Sequence, residues 1–96
     1  MPSEALPANP VRGEVSVLIG AQSVRLCVTL GALARLEGHF GVRGFPALAA
    51  RLKAIDTADA YAVAGMLALD PLPETAHKGE LMAAIVAAFA AMNADA

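Results

Sequence analysis

Between Gly13 and Leu30 the apolar residues fall on every second position, and from Leu33 onward they fall three or four apart. The first period is that of a half-buried strand, the second that of a helix with one buried face. Val15, Val17 and Ile19 share one face of a first strand over about 13–19. Gly20-Ala21-Gln22-Ser23 reads as a turn. A second strand over about 24–30 places Val24, Leu26, Val28 and Leu30 inward and Arg25, Cys27 and Thr29 outward. The change of period falls inside Thr29–Gly41, where a strand runs directly into a helix. Thr29 is placed to cap that helix with its hydroxyl, and Gly41 follows the last apolar position as a left-handed stop. Leu33, Leu36 and Phe40 are expected to bury against Val15, Val17, Leu26 and Val28.

Three more helices follow from the same spacing. The first of them, over about 45–55, has Pro46 in its first turn and Phe45, Leu48, Leu52 and Ile55 on one face. Asp56 or Thr57 caps the next, over about 58–69, whose bulkier apolar residues are Tyr61, Met66 and Leu69. Pro71 and Pro73 then break the chain. The last helix, over about 79–92, carries a stripe of Leu81, Ile85, Phe89 and Met92, widened by Met82 and Val86. Residues 1–10, with three prolines and little to bury, read as a flexible leader, and residues 11–96 as one small domain. The expected class is α+β, an N-terminal hairpin packed against about four helices. An isolated two-stranded sheet leaves two edges where another strand could add.

Composition narrows the function more than the fold. The chain is 57% hydrophobic and 17% charged, against about 25% charged in an average domain. Much of the excess is alanine, which supports helices and tolerates exposure. The longest apolar run, Leu81 to Met92, is short of the roughly 20 residues that span a bilayer, so no membrane segment is expected. The N-terminus lacks the basic start and apolar run of a secretory signal. One cysteine, Cys27, excludes an internal disulfide and suits a reducing compartment. The net charge of −2 divides into +2 over residues 1–56 and −4 over residues 57–96.

No catalytic constellation emerges. His39 and His77 have no metal-ligand spacing around them, and the serines lie in no nucleophile motif. Gly38, Gly41 and Gly44 surround a helix end rather than follow a strand, so they are breakers and not a phosphate loop. The acidic residues form no close pair for general acid–base work. No enzyme activity, cofactor or metal is therefore expected. Arg35, Arg43, Arg51 and Lys53 fall on or between the first two helices, but an acidic domain poor in aromatics does not suit nucleic acid.

The run Asn9-Pro10-Val11-Arg12-Gly13-Glu14-Val15, then Val24-Arg25-Leu26, then Thr29-Leu30-Gly31-Ala32-Leu33-Ala34-Arg35-Leu36-Glu37 and Phe40-Gly41-Val42, resembles the small tail proteins of bacterial gene transfer agents and related prophages. These are grouped with phage tail assembly chaperones. The resemblance covers roughly residues 9–55, and residues 56–96 share only the helical pattern. It implies a chaperone of the bacterial cytoplasm that coats the long, apolar, helical tape measure protein until the tail tube forms around it. Other tail proteins and further copies of the chain are additional partners under this reading. The alternatives are a structural tail component retained in the particle and, from another class, a small DNA-binding regulator. The candidate protein-contact residues are Met82 and Val86, on the flank of the last helix, with Arg35 and Arg43.

Overall fold

A computed structural model describes residues 13–93; the leader expected over residues 1–10 lies outside them. The order is two strands and then four helices: β1 (Glu14–Ile19), β2 (Gln22–Cys27), α1 (Leu30–Phe40), α2 (Phe45–Leu52), α3 (Thr57–Leu67) and α4 (Lys78–Asn93). The α+β hairpin-plus-helices architecture is the one the periodicity predicts.

The hairpin is tighter than expected. Its strands pair antiparallel from Glu14↔Cys27 to Ile19↔Gln22, which leaves Gly20-Ala21 as a two-residue turn. Both turn residues have positive φ, 57° at Gly20 and 68° at Ala21. This is the type I′ combination, whose twist matches that of paired strands. Glycine adopts it freely, whereas Ala21 does so against its Cβ. One face of the hairpin is buried as the alternation requires, with Ile19, Val24 and Leu26 fully covered. Leu30 departs from that pattern. It is the first residue of α1 and is 87% exposed, because the helical turn that begins there carries it off the inward face.

The helix signals act as their residue types imply. Thr29 Oγ1 accepts from the Ala32 N–H at 3.0 Å, and Gly41, at φ 66° and ψ 36°, closes α1 with its N–H bonded to the Glu37 carbonyl. Asp56 Oδ1 accepts from the Asp59 N–H at 2.8 Å and caps α3. The helix α2 ends at Leu52 rather than near residue 55, although Ile55 is still buried beyond it. The core face of α3 differs from the one its bulky residues suggest. Ala60, Val63, Ala64 and Leu67 are buried, Tyr61 and Met66 are half-buried, and Leu69 lies past the helix end and is exposed.

The layer order also corrects one expectation. The principal cover of the hairpin is α4, whereas α1 packs mainly on α3 and α2. Leu36 is fully buried, but Leu33 and Phe40 only edge the shared core, so the expected block of Leu33, Leu36 and Phe40 against Val15, Val17, Leu26 and Val28 is not the main packing. The reason is size. A long helix with buried Leu81, Ala84, Ile85 and Ala88 covers two short strands more fully than α1 does.

The connection between α3 and α4 closes one edge of the sheet. Ala68 bridges Leu26, the Leu69 N–H donates to the Arg25 carbonyl at 2.8 Å, and the Arg25 N–H donates to Asp70 Oδ2 at 2.9 Å. Of the two edges expected to be unpaired, that of β2 is therefore occupied.

Candidate functional site

Between α2 and α4 lies a groove of about 250 Å³, lined by Phe45, Ala49, Leu52, Lys53, Met82, Ile85, Val86 and Phe89. Its origin is the composition of α4. No residue from Leu81 to Asn93 is charged, yet only one face of the helix is buried. Val86 is 63% exposed and Phe45 is 45% exposed, at opposite walls. The rings of Phe45 and Phe89 meet at 5.7 Å and span the groove from one helix to the other. Lys53 supplies its one charged group.

Met82 and Val86, singled out from the sequence, both line this groove. They differ in setting: Met82 is half-buried and packs on the core, whereas Val86 projects into solvent. Sequence reasoning missed the opposite wall. Phe45 and Leu52 read as core residues because their spacing is that of a buried helical face, and only the placement of α2 leaves Phe45 exposed.

Arg35 and Arg43 do not join them. The Arg35 guanidinium donates to the Met66 carbonyl near the C-terminus of α3, at 3.3 Å. Arg43 lines a separate depression with Ala34, Glu37, Gly38, Gly41 and Val42. There the Glu37 carboxylate accepts from the Gly44 N–H at 2.7 Å and ties the end of α1 to the start of α2.

The remaining polar residues hold the scaffold in place. His39 contacts Asp59 at 3.2 Å, and the Arg51 guanidinium lies 5.0 Å from the centre of the Phe40 ring. Glu80 Oε1 accepts from the His77 N–H at 3.1 Å, and Oε2 accepts from the Gly20 N–H at 3.0 Å. These two bonds hold its carboxyl below its ordinary pKa and pin the hairpin turn to the first turn of α4. Arg25 pairs with Asp70 at 2.8 Å, one contact between the net-basic first part of the chain and the net-acidic second part. Among the described residues no group of three or more His, Cys, Asp or Glu side chains could hold a metal ion, and no helix is long and apolar enough to cross a membrane. Compared with protein-family models, with curated proteins and with solved structures, the chain matches none of them.

Proposed function

We propose that this protein is a phage-like tail assembly chaperone, without enzymatic activity, that binds the tape measure protein in the bacterial cytoplasm while the tail of a gene transfer agent or prophage is built. The observation that carries the reading is the groove between α2 and α4, apolar but for Lys53. A chaperone for a long apolar helix needs many weak, exchangeable contacts, which identical small modules along the helix provide. The groove presents one such contact. Phe45, Phe89 and Val86 offer apolar area, and the Met82 side chain adapts to different partner surfaces. Lys53 at the groove favours a carboxylate on the bound helix. The resemblance over residues 9–55 supports the same reading, since that segment contributes α2 and thus one wall.

Co-expression with a phage-type tape measure protein tests the proposal. The two proteins should co-purify, and Val86→Glu should abolish co-purification while the chaperone stays folded. Particles purified after assembly should lack the chain. Retention at fixed stoichiometry would instead identify a structural tail component.

A further inference from the structure

We propose that the open edge of β1 is a self-association site, through which two copies of the chain join their hairpins into one four-stranded antiparallel sheet. This inference rests on the hairpin alone and does not involve the groove between α2 and α4.

The register of the hairpin decides which backbone groups are available. A two-residue turn makes Ile19↔Gln22 a hydrogen-bonded pair, so Val17↔Val24 and Val15↔Leu26 are bonded pairs as well. The backbone groups of Ser16 and Leu18 therefore point away from β2. On the other strand the same phase points Arg25 outward, where its N–H and carbonyl are both taken by the 69–70 segment. Ser16 and Leu18 have no equivalent backbone partner among the described residues. Nor is the edge blunted: β1 has no proline, lysine or bulge, and Leu18 is 71% exposed.

The inner face is unfinished on the same side. Val24 and Leu26 of β2 are completely covered, whereas Val15 and Val17 of β1 are half-buried at the margin of the core. The missing element is a strand that supplies edge hydrogen bonds and two apolar side chains at alternate positions. β1 is itself such a strand, which is why the occupant is a second copy. A twofold pairing centred on Ser16 sets Ser16 opposite Ser16 of the second copy and Val15 opposite Val17. Leu18 then faces Glu14, and the two Glu14 carboxylates do not oppose each other. Because residues opposite each other across an antiparallel pair share a face, both α4 helices lie on one face of the joined sheet.

Sedimentation equilibrium of the full chain over a wide concentration range tests this. The wild type should approach twice its mass of 9.8 kDa as concentration rises. Ser16→Pro removes an outward N–H without touching a bond to β2, and should leave a folded monomer. Leu18→Glu, set against Glu14, should weaken association by about tenfold or more, whereas Leu18→Lys, set against the same carboxylate, should preserve it. If Ser16→Pro fails to fold, the two Leu18 variants decide alone. A wild type that stays monomeric throughout would overturn the proposal, as would equal effects of glutamate and lysine at position 18. Protection of the Ser16 and Leu18 amides in a monomer would assign the edge to another part of the same chain and would overturn it too.

Discussion

The Asp70 carboxylate holds Arg25 by both backbone and side chain. It accepts from the Arg25 N–H at 2.9 Å, from Nε at 3.0 Å and from Nη2 at 2.8 Å. One acidic residue thus ends the sheet at β2 and joins parts of the chain that are 45 residues apart. The guanidinium fork matches the carboxylate with two parallel bonds, a geometry lysine cannot reproduce.

That contact makes stability depend on acid pH. Hydrogen bonds from the Arg25 side chain, and then from its backbone, hold the Asp70 carboxyl below its ordinary pKa. Glu80 is lowered likewise, by the His77 N–H first and the Gly20 N–H second. A carboxyl whose folded pKa lies below its unfolded value contributes stability that is complete above about pH 5, beyond the unfolded values, and disappears as pH falls through the depressed value. Asp70→Asn should therefore be less stable than wild type near neutrality. It should also lose less on acidification, as measured by urea unfolding at about pH 6 and about pH 3. Equal losses in the two proteins would remove Asp70 from the acid response.

Leu36 and Leu30 lie on the same helix and should respond oppositely to truncation. Leu36 is fully buried where α1 meets α2 and α3, so Leu36→Ala should cost about 2–5 kcal/mol. Leu30 is exposed, and Leu30→Ala should change stability by no more than about 0.5 kcal/mol. Denaturant midpoints of the two variants check both values.

Ala21 should be improvable. Its φ of 68° suits glycine, and Ala21→Gly should raise stability by about 1 kcal/mol by relieving the Cβ contact. The converse substitution, Gly41→Ala at φ 66°, should lower it by a similar amount of about 1 kcal/mol. Thermal or urea unfolding distinguishes the two signs.

Val86 and Met82 separate binding from folding. Both line the groove, but only Met82 also packs on the core. Val86→Glu should leave helical circular dichroism and the unfolding midpoint near wild type and abolish partner capture. Met82→Glu should reduce both, because a carboxylate there is drawn into an apolar setting. A Val86→Glu protein that unfolds would show that the exposed flank of α4 is core after all.

What the sequence determined by itself was local. The alternation of Val15, Val17 and Ile19, the cap at Thr29, the stop at Gly41 and the cap at Asp56 depend on neighbours a few residues away, and each acts as its residue type requires. The stripe on α4 was equally legible, because 3.6-residue spacing is a property of one helix. What tertiary structure decided was which apolar faces meet. Leu33 and Phe40 have the right period for a core face, yet α4 rather than α1 covers the hairpin, since periodicity carries no information about the partner. Tyr61 is bulkier than Val63, yet the fully buried positions on α3 are Ala60, Val63, Ala64 and Leu67, among them the alanines that let helices approach closely. Met82 and Val86 could be named from the helix, but the groove they line exists only because α2 stands opposite with Phe45. Likewise the pairing of Arg25 with Asp70, which closes one edge of the sheet, joins residues 45 apart in the chain and is not encoded by any local pattern.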